Sequence, residues 1–215
     1  MIENNAKSYD PATAEGAATR RSRHNKPPTK LSFVAPCHNE EDNIGHLLVA
    51  LDGLWADLRG QFHDLTSCEI VLVDDGSTDG TWERIAAAAA ERPEVVGIRL
   101  SRNFGHQPAL LAGLLSSKGD AVVSLDADMQ DDIGVIPQMV GAHFGGDEIV
   151  FGVRSDRSSD TLFKRLTAIA YYRLLEGLGV EVVHNHADFR LMGRKSIEAL
   201  RQYGERNLYL RGLIR

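Results

Sequence analysis

The 215-residue sequence has only two cysteines, Cys37 and Cys68, and they are far apart and lack metal-ligand spacing. A disulfide framework is therefore not expected, and the usage reads as that of a reducing compartment. No stretch approaches the ~20 apolar residues that a membrane-spanning helix needs. The N-terminus is polar and carries no apolar segment of the secretory-signal kind. Missing too are the G-x-G-x-x-G fingerprint of dinucleotide-binding folds and the lysine-bearing phosphate loop of NTPases. Residues 1–30 hold almost no bulky apolar side chains, so they are expected to form a disordered basic tail.

What is present suffices for one folded domain over residues 31–215: 43% of the chain is apolar and 25% charged, enough to bury a core. The net charge of -6 is unevenly spread. Residues 20–30 carry +5 through Arg20, Arg21, Arg23, Lys26 and Lys30, and residues 189–215 carry another +5, which leaves -16 for the rest. An acidic centre argues against nucleic acid as a partner. It suits a cation-loaded site, while basic flanks suit an anionic membrane surface or a membrane-anchored partner.

Short β-type runs occur at Leu31–Ala35, Glu69–Val73, Val95–Leu100, Ala121–Leu125 and Glu148–Val153. Between and after them, helical spacing covers about 43–60, 79–91, 106–118, 133–144 and 160–177. Five strand-then-helix units predict an α/β fold, a mostly parallel sheet with helices on both faces. In such folds ligands bind at the carboxyl ends of the strands, and every polar cluster of this sequence falls at one.

The most acidic of these clusters follows the fourth strand, where Asp126, Asp128, Asp131 and Asp132 lie within seven residues. Crowded carboxylates repel one another unless a cation collects them, although Asp near a helix start is also an ordinary cap. The first strand ends in Pro36, expected to stop it, followed by Asn39, Glu40, Asp42 and Asn43, where Asn39 or Asp42 can cap the next helix. Glu40 is placed to accept hydrogen bonds from a ribose or base. At the second strand's end, Asp74 and Asp75 point different ways, so one can reach a ligand while the other anchors the loop. Gly76 permits a positive φ, and Ser77 or Asp79 caps the helix after it. The third strand leads into Arg102, Asn103, His106 and Gln107, which either contact sugar or phosphate or cap a helix. Arg154 follows the fifth, with Lys164 and Arg165 beyond, side chains suited to phosphate oxygens. The helix over 160–177 has an apolar stripe that either covers the sheet or lies on a membrane. His184 and His186 alternate as strand residues would, but no second half of a zinc site accompanies them.

Six blocks in order carry a resemblance: Pro36…Asn39-Glu40-Glu41-Asp42-Asn43-Ile44, Asp74-Asp75-Gly76-Ser77-Thr78-Asp79, Ser101-Arg102-Asn103-Phe104-Gly105-His106-Gln107, Asp126-Ala127-Asp128-Met129-Gln130-Asp131, Gly152-Val153-Arg154 and Asp188-Phe189-Arg190-Leu191. Over residues 31–215 the chain resembles family 2 glycosyltransferases of the GT-A fold, and among them the polyprenyl-phosphate hexose synthases. The resemblance implies a metal-dependent, inverting transfer of a hexose from a UDP- or GDP-sugar to a polyprenyl phosphate at the cytoplasmic face of a membrane. It implies that Glu40 and Asp75, with Asp74 in support, and their neighbours Pro36, Asn39 and Ser77, hold the nucleotide. Asp126 would stand by the ribose or donor sugar, and Asp128 and Gln130 would take Mg²⁺ or Mn²⁺. Arg154 would hold phosphate, with Lys164, Arg165 and Arg190 as further phosphate contacts, so that Asp126, Asp128 and Arg154 carry the catalysis. Two alternatives stay open: a hydroxyl acceptor with Asp131 or Asp132 as base, and a nucleotide-sugar-binding module without turnover. The chain departs from the family at His38, where tyrosine is usual, and at Asp132-Ile133-Gly134, in place of the common Pro-Pro-Glu. Members of the group commonly continue into two membrane helices; this sequence ends at Leu213-Ile214-Arg215, which suits a trimmed catalytic domain or one with a separate anchor.

Overall fold

The structure is a computed structural model and describes residues 29–152 and 188–202. The N-terminal tail, the helix expected over 160–177, and Arg154, Lys164, Arg165, His184 and His186 lie outside the described residues.

The elements run β1 (Thr29–Cys37), α1 (Glu41–Gln61), β2 (Leu65–Asp74), α2 (Thr81–Glu91), β3 (Val95–Arg99), α3 (His106–Ser116) and β4 (Ala121–Ser124). A 3₁₀ turn (Ile133–Val135), α4 (Ile136–Gly145), β5 (Ile149–Phe151), β6 (Arg190–Gly193) and α5 (Arg194–Arg201) complete them. The strands form one sheet in the order β3-β2-β1-β4-β6-β5. The first four are parallel, and β6 runs antiparallel to both β4 and β5.

Central strands buried on both sides need apolar side chains on both faces, so β1 and β2 read as continuous apolar runs rather than alternating ones. Alternation then sorts these residues between two cores. On one face Leu31, Phe33 and Leu72 pack with Leu47 and Leu51 of α1, Ile85 of α2 and Met139 of α4. On the other, Val34, Val73 and Val122 meet Leu110 and Leu114 of α3 and Ile197 of α5. Helix α3 sits close to the sheet because Gly113 has no side chain: a Cβ there would lie 2.4 Å from Val34 Cγ1.

Three features differ from the sequence expectation. Pro36 does not stop β1; it pairs in register with Val73, and Cys37 pairs with Asp74. Because Val34 faces β4 through its carbonyl, Pro36 two residues on also faces that side, where β4 pairing has already ended at Val34. Its missing N–H therefore leaves no ladder bond unmade. The second difference is β6, a strand inserted between β4 and β5, so the fifth predicted strand runs in the same direction as β1–β4 but pairs, antiparallel, with β6 at the edge of the sheet. The third is Lys30, grouped by composition with the basic tail but in fact the second residue of β1.

Lys30 is there to meet Glu69, a buried acid of β2. Lys30 Nζ donates to Glu69 Oε2 (2.7 Å), and Ser32 Oγ (2.6 Å) and the Lys118 N–H donate to Oε1. Burial pushes the Glu69 carboxyl up, but the hydrogen bonds from Lys30, Ser32 and Lys118 outweigh it and hold its pKa below the usual glutamate value. A depressed folded-state pKa stabilises the fold above the unfolded pKa, and that contribution is lost as pH falls through the folded value. Glu69→Gln is therefore expected to cost about 1–3 kcal/mol at pH 7. In denaturant titrations from pH 7 downward, the gap between variant and wild type should narrow below about pH 4. A gap that widens on acidification would contradict this account.

Candidate active site

The carboxyl ends of β1, β2 and β4 and the segment before β6 surround a cavity of about 580 Å³. One wall is built by Asp75. Its N–H donates to the Cys37 carbonyl (2.8 Å), extending the β1–β2 ladder by one bond. Its two carboxylate oxygens accept the N–H groups of Phe104 (2.7 Å) and Gly105 (2.8 Å), which fastens the loop after β3. Asp74 is fully buried and points away, accepting the Ser77 N–H (3.0 Å) and lying 3.5 Å from Arg99 Nε. The two aspartates do point different ways, as expected, but each anchors a loop: Asp74 its own and Asp75 the one after β3, while Asp75 also lines the cavity.

His38 joins the same wall. Its Nδ1 faces the Asp75 carbonyl (2.9 Å), an acceptor only, so Nδ1 carries the proton and donates. Nε2 then accepts from Asn103 Nδ2 (3.1 Å). Asn39 adopts a positive φ of 58° and turns its side chain away from the cavity: Oδ1 accepts from the Thr78 N–H (2.9 Å), and its own N–H donates to Ser77 Oγ (3.0 Å). Asn39 and Ser77 thus clip the first two loops together. Glu40, which precedes α1, lines the cavity and accepts from Asn43 Nδ2 (2.6 Å). Neither Asn39 nor Asp42 caps α1; the N-cap position belongs to Glu40. At α2 the cap position is Gly80, and Asp79 accepts from the Thr81 N–H (3.0 Å).

The acidic cluster divides by role. Asp126 and Asp128 line the cavity. Asp131 is buried and accepts the Asp126 N–H (3.1 Å), and Asp132 accepts the Gly134 N–H (2.9 Å) at the start of the 3₁₀ turn. Asp128 Oδ1 accepts the Gln130 N–H (3.0 Å), and the Gln130 side chain is exposed and outside the cavity wall, unlike the ligand position expected for it. Burial pushes the Asp126 carboxyl up, His106 opposes this, and Asp131, Asp128 and Asp188 add to it, so its pKa stands above the usual aspartate value.

Asp188 and Arg190 form the base of the opposite wall. Asp188 is 3% exposed and Arg190 1%. Arg190 Nη2 donates to Asp188 Oδ1 (2.7 Å). Oδ2 accepts from Gln107 Nε2 (2.9 Å), and His106 Nε2 lies 3.0 Å from it. Ser124 Oγ, at the end of β4, donates to the Asp188 carbonyl (2.5 Å). Arg190 is thus a correction: it lies behind Asp188 as a buried partner, not in the cavity as a phosphate contact. Pro36, Glu40, Asp75, Asp126 and Asp128 are brought to the cavity as expected, whereas Asp74, Asn39 and Ser77 brace it. Asn103, Gly105, His106, Gln107 and Asp188 complete it. The first four lie in the polar cluster after the third strand and Asp188 in a block carried by the resemblance, but nothing in one sequence separates a cap from a wall. Cys37 also borders the cavity; burial, Glu40 and Asp74 push its thiol up, which disfavours the thiolate.

A divalent cation fits part of this arrangement. Asp126 Oδ1 is buried and accepts no hydrogen bond, lying 3.7 Å from His106 Nε2, and Asp128 stands two residues on. Among the described residues, no group of three or more His, Cys, Asp or Glu could hold a metal by itself. One or two carboxylates completed by substrate phosphates is the usual Mg²⁺ environment.

The loop after β3 rests on Gly76, whose φ is +63°. A Cβ at Gly76 would lie 2.4 Å from both Arg102 C and Asn103 N. Gly76→Ala is expected to destabilise the fold by more than about 1 kcal/mol and to displace the Asp75-held loop from the cavity wall. Thermal unfolding of the two proteins checks this; an unchanged midpoint would show that the loop does not depend on a glycine at this position.

Residues 32–201 match the family model for glycosyl transferase family 2. The chain is 46% identical over 186 residues to the uncharacterized glycosyltransferase YkoT of Bacillus subtilis, covering 86% of this chain and 55% of that protein. It is 39% identical over 188 residues to the bactoprenol glucosyl transferase of Shigella phage SfV, covering 86% and 59%. It therefore spans little more than half the length of these relatives. Among solved structures, the mannosyltransferase PcManGT from Pyrobaculum calidifontis, in complex with GDP-Man and Mn²⁺, superposes with a TM-score of 0.53 at 20% identity, covering 88% of this chain and 52% of that one. Mannosyl-3-phosphoglycerate synthase from Rubrobacter xylanophilus gives 0.54 at 21%, covering 80% and 59%. These superpositions show the GT-A fold, and the chain belongs to glycosyl transferase family 2.

Proposed function

We propose that this chain is the catalytic domain of an enzyme that moves a hexose from a nucleoside-diphosphate sugar to a polyprenyl phosphate. The observation that carries the reading is the 39% identity to bactoprenol glucosyl transferase over 188 residues, 86% of the chain. The cavity supports it: a wall at β1 and β2 suited to a nucleoside, and a carboxylate pair at β4 suited to a cation. Glu40 and the Asp75–His38–Asn103 wall hold the nucleoside, and Asp126 stands by the ribose or hexose. Asp128, with Asp126 beside it, would hold Mg²⁺ or Mn²⁺. When bound, the cation offsets the charge that develops on the leaving nucleoside diphosphate.

The acceptor explains why no base is needed. A phosphate monoester has its second pKa near ~6, so at neutral pH it is already a nucleophile. Its oxygen forms the new bond to the anomeric carbon as the carbon–diphosphate bond breaks, and the electron pair leaves with the nucleoside diphosphate. A single displacement of this kind inverts the anomeric configuration. Arg154, Lys164 and Arg165 supply the acceptor's phosphate contacts in this reading. A hydroxyl acceptor would require a general base, and neither Asp131 nor Asp132 lines the cavity: one braces Asp126 and the other caps a turn. Among the described residues no helix is long and apolar enough to cross a membrane; the lipid acceptor brings this domain to a membrane surface, which we place on the cytoplasmic side.

Asp128→Asn should reduce transfer of labelled hexose to undecaprenyl phosphate by about 10²-fold or more, and chelation of divalent ions should do the same to the wild type. Full activity of the variant, or turnover unaffected by chelator, would remove the cation from this account.

A further inference from the structure

Asp188 decides which way Gln107 faces. An ionised carboxylate only accepts hydrogen bonds, and Arg190 is always cationic, so Gln107 must present its amide nitrogen to Asp188 Oδ2, as it does at 2.9 Å. The carbonyl end, Oε1, is then turned to the other side. It is buried and accepts no hydrogen bond, and Asp126 Oδ1 is in the same condition. Both residues line the cavity. An acceptor left unmatched in a buried place is costly; the cation can satisfy Asp126, whereas the neutral Gln107 oxygen calls for a ligand that bears a hydrogen-bond donor.

The parts of a nucleotide sugar can be sorted by this requirement. The diphosphate is ionised and offers acceptors alone, so it cannot satisfy either oxygen. The nucleoside belongs to the wall formed by Glu40, Asp75 and His38. Gln107 and Asp188 stand across the cavity, beside the end of β4 and the start of β6, where the donor's hexose would lie. A hexose presents hydroxyl donors whose directions differ between epimers. A fixed amide oxygen meets one epimer's hydroxyl and misses another's, and sites built to hydrogen-bond a hydroxyl discriminate strongly against analogues that lack it.

We propose that Gln107, oriented by Asp188 and Arg190, reads the hydroxyl configuration of the donor's hexose. This rests on the reading of the chain as a nucleotide-sugar transferase. Gln107 is a specificity-determining residue, and Asp188 and Arg190 are positioning residues.

The test is titration calorimetry on the full chain with Mg²⁺ present, using UDP-glucose, UDP-galactose and GDP-mannose, and UDP and GDP as sugar-free counterparts. Wild type is expected to prefer one of the three sugars. Gln107→Leu should weaken that nucleotide sugar about tenfold, the worth of one good hydrogen bond, and narrow the preference between UDP-glucose and UDP-galactose, while the matching nucleoside diphosphate stays within about twofold. Gln107→Met serves the same purpose if the leucine variant unfolds. Asp188→Asn, which frees the Gln107 amide to rotate, should shift the same sugar preference. Equal loss for sugar-bearing and sugar-free nucleotides, or no loss for either, overturns the proposal. Wild type binding none of the nucleotides would instead overturn the nucleotide-sugar reading beneath it.

Discussion

Both oxygens of Asp75 are filled by backbone N–H groups of the next loop but one, and the shape of the cavity depends on that grip. Parallel strands end side by side, but the loops that follow them are free to splay. Here one carboxylate at the end of β2 holds Phe104 and Gly105 after β3, while its own backbone holds Cys37 at the end of β1. His38 and Asn103 close the same ring of contacts. Charge-assisted hydrogen bonds to backbone donors are among the stronger ones available to a fold, and their donors cannot move without moving the chain. The site is preorganised by backbone rather than by side chains that could adjust.

Across the cavity the logic is electrostatic. Asp126, Asp128, Asp131 and Asp188 are gathered where a neutral core would be more stable, and the chain offsets only part of their repulsion. Asp131 accepts the Asp126 N–H, and Asp188 is paired with buried Arg190. Asp126 keeps a buried oxygen with no donor and a carboxyl pushed above its usual range. On the function proposed above, that residual strain is relieved when a cation and a donor sugar bind beside Asp126.

Much of this was legible in the sequence. The parallel half of the sheet followed from apolar runs of the right length, and the position of the site followed from polar residues clustered at their ends. The strand β6 was not legible because it is four residues long and opens on arginine, a residue that pattern reading sends to the surface. Only its pairing with β4 and β5, more than 38 residues away in the chain, and the Asp188 carboxylate two residues earlier explain why that arginine is buried. The same limit applies to Asn39, Ser77 and Gln130. Their types suit ligand contacts, but whether a polar side chain meets a ligand or a neighbouring loop is decided by three-dimensional proximity. Pro36 was misread as a stop because a missing N–H matters only where a partner strand is present to receive it.

The account stands on the claim that the acceptor is itself a phosphate, so that no protein base is required. The most direct measurement compares hexose transfer to undecaprenyl phosphate with transfer to undecaprenol, which differs only in lacking the phosphate, under the same donor, cation and detergent. The account predicts labelled product from the phosphate and none from the alcohol. Product from the alcohol at a comparable rate would contradict it.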